Sequence, residues 1–315
     1  MRTILHRLAR LVGVMILVTL TTAFMVNLSS TEPAVILAGE AATGEQIAAI
    51  NAEYGFDQPT IERYFRWVGN ALRGDLGESY RTHQPVLDAL WQRIPVTVEI
   101  ALVASLLSLI VAVPLAMLCS YRQGSRLDRL ITGVSSALVS LPPFLIGLLL
   151  ILLLGVTWTL LPVLGWVPIT ESVSGNLKAI IMPALSLAVY EMVIIQRTLR
   201  ADLIHTLEQD YILQSTARGL SPLRLMLTRA MRPSSFSLIT LISLSFGRLL
   251  GGTVIVEMIF VLPGIGQYLA GAVHAGDIFV VQGVVAFVAL AFLAINFLVD
   301  LLYVFLDPRV RTAHG

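Results

Sequence analysis

Six apolar stretches, each close to the length needed to cross a lipid bilayer, constrain the fold of this chain more than any other feature. A helix needs about 20 apolar residues to cross a hydrocarbon core of about 30 Å. The stretches cover residues 11–28, 96–118, 130–154, 179–195, 236–260 and 279–305. Because lipid offers the backbone no hydrogen-bond partner, each stretch is predicted to be a helix. With 56% hydrophobic and 13% charged residues, the chain is predicted to be an all-α membrane protein with six transmembrane helices.

The distribution of arginine predicts the orientation of these helices. The connections 122–129 and 197–232 are basic, whereas the connections 155–176 and 261–278 contain no lysine or arginine. Since short basic loops stay in the cytoplasm, both termini are predicted to lie there, in a multi-pass protein of the inner (plasma) membrane. One alternative stays open, that the first stretch is a cleaved signal peptide, although it exceeds the about 7–15 residues of a signal-peptide core.

The connection 29–95 has the composition of a soluble segment. It carries five arginines and nine acidic residues, and it is assigned outside because long loops cross the membrane largely regardless of charge. Helical spacing predicts helices at 34–54 and 60–72, separated by a turn at 55–59. At about 65 residues it is too small for a confident independent domain. We therefore expect one transmembrane domain, 1–315, in which 29–95 forms an extracytoplasmic cap; the alternative is a solvated spacer.

The chain lacks the motifs of an enzyme. A P-loop needs a G-x-x-x-x-G-K-[ST] run to hold nucleotide phosphates, and the only lysine, Lys178, is followed by alanine. The five histidines are scattered singly, and the one cysteine, Cys119, is expected to be a small packed residue. We therefore expect no catalytic residue, no metal and no cofactor bound by this chain, and no nucleic-acid partner.

Few charges lie within the predicted spans. A charge at the membrane centre costs at least about 2.5–3.5 kcal/mol, so each should face protein, water or the interface. Glu191, in the inner half of the fourth span, and Arg248, about mid-span in the fifth, are the natural candidates for a pair. They form either a salt bridge between helices or a site where Arg248 faces a pore and meets a substrate carboxylate. Glu257 and Asp300 lie in or at the ends of spans.

Proline and glycine shape the predicted spans. Pro142 and Pro143 should kink the third helix, and Pro114 and Pro183 should bend or end theirs. Gly251 and its neighbour Gly252 permit either close packing of the fifth helix or opening of a path along it. The candidate pathway residues are therefore Arg248, Gly251, Gly252 and Glu257.

A basic segment at 200–234 separates the fourth and fifth spans. Within it, residues 210–232 hold a short amphipathic piece that is broken by Gly219 and flanked by arginines, among them Arg200 and Arg218. Such a piece is typical of a docking element at the cytoplasmic face. An ordinary positively charged loop is the alternative.

Ordered motifs along nearly the whole chain carry a resemblance to a known family. In the basic segment they are Asp210-Tyr211, Ala217-x-Gly219-Leu220-Ser221 and Arg229-Ala230-x-Arg232. Elsewhere they are Gly74-Asp75-Leu76-Gly77-x-Ser79, Arg93-x-Pro95-x-Thr97-x-Glu99, Gly251-Gly252, Val256-Glu257, Pro263-Gly264-x-Gly266 and Leu306-Asp307-Pro308-Arg309. Together they resemble the permeases of ABC importers, specifically the dipeptide, oligopeptide and nickel family.

The resemblance implies a function and partners. It implies the type I importer permease fold, in which this chain forms half of a translocation pathway for peptides. The implied partners are a second permease, two cytoplasmic ATPase subunits that bind ATP and Mg²⁺, and an extracytoplasmic solute-binding protein. The segment that receives the ATPase is implied to consist of Thr216, Ala217, Arg218, Gly219, Leu220, Ser221 and Leu223.

The chain also departs from the family pattern. The family commonly has threonine, alanine, arginine, alanine and lysine before the glycine, where this chain has Gln214 to Arg218. Leu262 stands where the family usually has tryptophan, and Arg248 where a small or polar residue is expected. The rival interpretations are a permease for nickel or another small solute and a self-sufficient secondary transporter or channel.

Overall fold

The computed structural model describes residues 2–27, 33–38 and 42–306. In these ranges the regular structure is helical, and the only β-type pairing is an isolated bridge between Glu78 and Pro85. The α-helices are α1 (Arg2–Asn27), α2 (Pro33–Ala38), α3 (Gly44–Tyr54), α4 (Thr60–Ala71), α5 (Val86–Tyr121), α6 (Arg126–Val139), α7 (Pro143–Leu150), α8 (Val173–Leu207), α9 (Asp210–Ala217), α10 (Pro222–Leu225), α11 (Met231–Phe260), α12 (Ile265–His274) and α13 (Ile278–Leu306). Two π-helical turns, Ile151–Thr157 and Met226–Ala230, follow α7 and α10.

Several of these helices are long and apolar enough to cross a membrane. In the described part of the chain, Val86–Tyr121, Val173–Leu207 and Ile278–Leu298 meet this test as single helices. Two further spans are possible if the bent pairs Arg126–Val139 with Pro143–Thr157, and Ser237–Leu249 with Gly251–Phe260, each count as one. A shorter apolar helix covers Leu11–Met25. The all-α membrane class is therefore confirmed, with three to five candidate spans by this measure.

The prolines act in two different ways. At 141–143 the helix breaks, so that α6 ends at Val139, α7 begins at Pro143, and the pair bends by 98°. This confirms the predicted kink, because Pro142 and Pro143 both lack a backbone donor. By contrast, α5 and α8 continue through Pro114 and Pro183. In an apolar setting the backbone groups on either side have no competing partner, so a single proline does not end the helix.

The chain forms two compact units, and the first consists of Met1–Thr97 and Pro263–Ala294. Its core is an apolar cluster in which Val86 and Leu90 of α5 pack with Ile265 of α12 and Val284 of α13. Gly283 allows this approach, since a Cβ atom there would lie 2.8 Å from Val86 Cγ1. The α4 helix is tied to α1 by a 2.9 Å hydrogen bond between the Tyr64 and Thr19 hydroxyls.

The predicted helices of the segment 29–95 are found with one correction. Helix α4 matches the prediction for 60–72. The single helix predicted over 34–54 was wrong, because α2 ends at Ala38 and α3 begins at Gly44. A capping box starts α3: Thr43 Oγ1 accepts from the Gln46 amide, and Gln46 Oε1 accepts from the Thr43 amide. This local pairing satisfies the free amides of a new helix start.

The second unit consists of Val98–Leu262 and Ile295–Gly315. At its centre α8 packs against α6, α7 and α11. Gly147 of α7 lets Phe260 and Ser186 come close, because a Cβ atom there would lie 3.2 Å from the Phe260 ring. Cys119 is fully buried, as expected for a small packed residue. The motif residues Asp307 to Arg309 lie outside the described residues.

Candidate functional site

The basic segment folds as a helix, a tight turn and a second helix. Helix α9 ends at Ala217, and Arg218 follows as its C-cap, with its amide donating to the carbonyl oxygens of Gln214 and Thr216. Helix α10 begins at Pro222, and the Leu225 amide donates to the Ser221 carbonyl at 2.9 Å. The predicted break in the amphipathic piece is therefore present.

Gly219 makes the turn between the two helices. Its φ is +78°, in the left-handed region that residues other than glycine avoid. The Gly219 amide donates to the Thr216 carbonyl at 2.9 Å, and the Leu220 amide donates to the Ser215 carbonyl at 3.3 Å. These bonds end α9 in the way that glycine commonly ends helices.

The residues predicted to receive a partner lie on the exposed side of this turn. Thr216, Ala217, Arg218, Gly219 and Ser221 are exposed, and Leu220 is half-buried. The Leu223 side chain is 67% exposed although it is apolar.

Buried residues hold the segment on the rest of its unit. Met226 and Ala230, from the π-helical turn, pack in a cluster with Ala116 of α5 and with Leu199 and Leu203 of α8. The basic segment is therefore packed against the protein on one side and exposed on the other.

An apolar groove adjoins the turn. It has a volume of about 410 Å³ and lies between the end of α5 and the start of α10. Its lining residues are Pro114, Met117, Leu118, Tyr121, Pro222, Leu223, Met226 and Leu227. Leu227 is 55% exposed, and neither it nor the groove was found from the sequence, because the groove forms only when α5 and α10 meet.

Arg200 is not part of the exposed side. Its Nε donates to Asp128 Oδ1 at 2.8 Å and its Nη2 donates to Asp128 Oδ2 at 2.7 Å, in a two-pronged ion pair between α8 and α6. The Gly124 amide also donates to Asp128 Oδ2 at 2.9 Å. Arg200 was predicted to flank the docking piece, and the structure instead uses it to fasten two helices. Sequence reasoning did not identify Asp128 as the partner of Arg200, although Asp128 is an acidic residue between two arginines, Arg126 and Arg129.

The second candidate site is an ion pair between α8 and α11. The Arg248 Nη2 donates to Glu191 Oε2 at 2.9 Å, and its Nε donates to Oε1 at 3.4 Å. Nη2 also donates to the Ser245 hydroxyl at 2.9 Å, a partner that sequence reasoning missed. The predicted pairing of the two residues is confirmed.

The two partners of this pair differ in exposure. The Glu191 side chain is 4% exposed, whereas the Arg248 side chain is 44% exposed. The carboxylate therefore lies inside the protein and orients a guanidinium that remains open to its surroundings. Such a group has N–H donors left for an incoming acceptor.

The other pathway candidates divide into two kinds. Among the described residues, a Cβ atom at Gly251 or at Gly252 would meet no neighbouring atom within 4 Å, so neither glycine packs closely against another described helix. Glu257 is fully buried in α11. The role of all three residues in a pathway stays a prediction.

Two family models match parts of this chain. Residues 112–312 match the family model described as "Binding-protein-dependent transport system inner membrane component". Residues 1–101 match the model of the N-terminal part of such membrane components.

Named relatives align along nearly their whole length. One from Brucella abortus (strain 2308), named a peptide transport system permease protein, is 36% identical over 308 residues, 98% of each chain. The dipeptide transport system permease protein DppB of Escherichia coli (strain K12) is 32% identical over 332 residues, again 98% of each chain. A peptide ABC transporter permease protein of Sinorhizobium fredii is 32% identical over 308 residues. The chain thus belongs to the family of inner-membrane components of binding-protein-dependent transport systems.

Proposed function

We propose that this chain is the permease subunit of an ATP-driven importer of di- or oligopeptides and forms half of its translocation pathway. The names of the aligned relatives, which cover 98% of this chain, support peptides as the cargo. The observation that carries the coupling role is the exposed turn at Gly219, presented outward while Met226 and Ala230 anchor it to α5 and α8.

The energy source in this proposal is a separate ATPase. The sequence offers no P-loop lysine, since Lys178 is the only lysine. Closure of two ATPase subunits pushes the turn between α9 and α10, and the push moves α5, α8 and α11 because the anchor is a packed cluster. Leu223 supplies an apolar contact to the ATPase, and the groove beside it accommodates further side chains.

The topology in this proposal has six crossings and cytoplasmic termini. The basic connections support it, as do the five candidate spans and the apolar helix Leu11–Met25. A second permease supplies the other half of the pathway, and a solute-binding protein delivers cargo from outside. Arg248 faces this pathway, where its half-exposed guanidinium meets the carboxylate of a peptide.

Reconstitution tests the function directly. The full chain is placed in proteoliposomes with its partner permease, the two ATPases and the solute-binding protein, and ATP-dependent uptake of radiolabelled dialanine is measured. We expect uptake only when all components and ATP are present. Uptake by the chain alone would instead show a secondary transporter or channel, and uptake of other solutes in place of peptides would refute the cargo assignment.

A further inference from the structure

A polar cavity in the first unit is separate from the coupling turn and the ion pair. It has a volume of about 380 Å³, and its lining includes Ser79, Arg81 and Arg93 on one side and Gln267, Tyr268 and Asp277 on the other. The first three residues come from the segment 29–95 and the last three from the connection 261–278. The distribution of arginine assigns both segments to the extracytoplasmic side, and the fold brings them together.

The acidic residue of this cavity, Asp277, already has hydrogen-bond partners within the protein. Asp277 is 3% exposed, and its Oδ2 accepts from the Ser79 hydroxyl at 2.7 Å, while Oδ1 accepts from the Val280 amide at 3.3 Å. Backbone hydrogen bonds from Tyr80 and Arg81 also reach this carboxylate, and they oppose the rise in its pKa that burial causes. Asp277 therefore ties the two walls together.

The two arginines keep donors for another group. In the part of the chain that the structure describes, neither Arg81 nor Arg93 forms an ion pair. Arg93 lies 4.2 Å above the centre of the Tyr268 ring and donates one bond, from Nη1 to the Ala89 carbonyl at 2.8 Å. This contact holds the guanidinium in place, and a guanidinium has five N–H donors in all.

Tyr268 lines the same cavity beside Arg93. The Tyr268 hydroxyl is buried and has no hydrogen-bond partner in the described chain. Burial raises the pKa of Tyr268, so its hydroxyl keeps the proton.

The net charge of the cavity decides which kind of ligand it can bind. With two arginines and one aspartate, the cavity is positive whether Asp277 is ionised or protonated. The segment 29–95 as a whole carries nine acidic residues against five arginines, so this positive cavity lies within an acidic segment. A planar acceptor with negative charge matches the guanidinium fork.

We propose that this cavity is a carboxylate-binding site on the extracytoplasmic face, in which Arg81 and Arg93 bind the anion. The proposal rests on the importer function proposed above. The carboxylate has two possible sources, the C-terminus of a peptide cargo and an acidic side chain of the solute-binding protein.

The first arm of the test uses small peptides. The full chain, in nanodiscs with its partner permease and ATPases, is titrated with dialanine and with dialanine amide, which lacks the carboxylate. If the source is the cargo, dialanine binds at least about tenfold more tightly than the amide, the factor of about one charge-assisted hydrogen bond. Arg93→Gln and Arg81→Gln then reduce this preference.

The second arm uses the solute-binding protein. If the source is its acidic side chain, Arg93→Gln and Arg81→Gln raise the concentration of binding protein that gives half-maximal uptake about tenfold. The maximal uptake rate stays unchanged, and the dipeptide and its amide bind these variants and the unaltered protein alike.

Two variants control for folding. Gly271→Met fills the cavity, and a Cβ atom there meets nothing within 4 Å, so the helix tolerates it; it should reproduce the effect of Arg93→Gln. Gly69→Met, in α4, also has free space around its Cβ atom and lies outside the cavity, so it should behave as the unaltered protein.

One result overturns the proposal. If Arg81→Gln and Gly271→Met leave both the dipeptide preference and the binding-protein dependence unchanged, the cavity binds no carboxylate. Because the unaltered importer still transports dialanine in that case, this outcome is distinct from failure of the proposed function.

Discussion

The Glu191 carboxylate, 4% exposed, accepts a 2.9 Å hydrogen bond from Arg248, whose side chain is 44% exposed. The Glu191 side chain is thus enclosed in the protein, whereas the Arg248 side chain reaches outward. A buried carboxylate is stable only with a partner, so Arg248 has a structural role whatever else it binds.

The first prediction concerns this structural role. We expect Arg248→Met to lower the free energy of unfolding by about 2 kcal/mol, below the about 3–5 kcal/mol of a fully enclosed pair because Arg248 is partly exposed. The double variant Glu191→Gln with Arg248→Met should recover most of the loss. Thermal unfolding in nanodiscs measures both, and equal stability of the single variant and the unaltered protein would contradict the prediction.

The second prediction concerns the pathway. Arg248→Lys keeps the charge and a bond to Glu191, but loses the guanidinium fork. If Arg248 binds cargo carboxylates, we expect this variant to remain stable and to discriminate less between dialanine and its amide, by about fivefold to tenfold. Uptake kinetics with the two peptides measure this. The same kinetics in Arg248→Lys and the unaltered protein would restrict Arg248 to its structural role.

The third prediction concerns the turn between α9 and α10. Gly219→Val places a β-branched side chain at φ +78° and costs about 1–2 kcal/mol locally, so the turn should rearrange and uptake should fall at least about tenfold. The protein should remain in the membrane. Gly74→Val is the matched control, because Gly74 has φ +89° and a Cβ atom at either glycine would meet no neighbouring atom within 4 Å. Equal uptake in both variants would contradict a coupling role for this turn.

The fourth prediction concerns Leu223. Leu223→Asp should leave the fold intact, since the side chain is 67% exposed. It should reduce the ATPase stimulation that the binding protein causes, because a charge replaces the apolar contact to the partner. Leu72→Asp, at an 84% exposed leucine after α4, is the control and should retain full stimulation. Full stimulation of ATPase activity in Leu223→Asp would refute the assigned contact.

The fifth prediction concerns the packing of α13 on α5. Gly283→Ala brings a methyl group within 2.8 Å of Val86 Cγ1 and should destabilise the first unit by about 1–3 kcal/mol. Gly69→Ala, in α4 with free space around it, should be neutral or stabilising by up to about 1 kcal/mol. Thermal unfolding of the two variants compares them, and an unchanged midpoint in Gly283→Ala would show that the helices separate easily.

Patterns local in sequence predicted much of the fold. The apolar stretches predicted the long helices, because a helix in lipid needs only a continuous apolar run. The Pro142-Pro143 pair predicted the break between α6 and α7, since the missing donors belong to those residues themselves. The single helix predicted over 34–54 was wrong, because apolar spacing does not show where a capping pair such as Thr43 and Gln46 starts a new helix.

The sequence by itself determined the class of the protein, an all-α membrane permease, because apolar length and the order of motifs are properties of the chain. It also indicated a turn at Gly219, because glycine tolerates the positive φ that such a turn needs. The tertiary structure alone decided the partner of Arg200 and the unequal exposure of Glu191 and Arg248. It fastened Arg200 to Asp128 and left Arg248 half-open beside Glu191. It also joined Arg93, Tyr268 and Asp277 around one cavity. Pairing energy falls steeply with distance, and distances between residues far apart in sequence exist only once the helices pack.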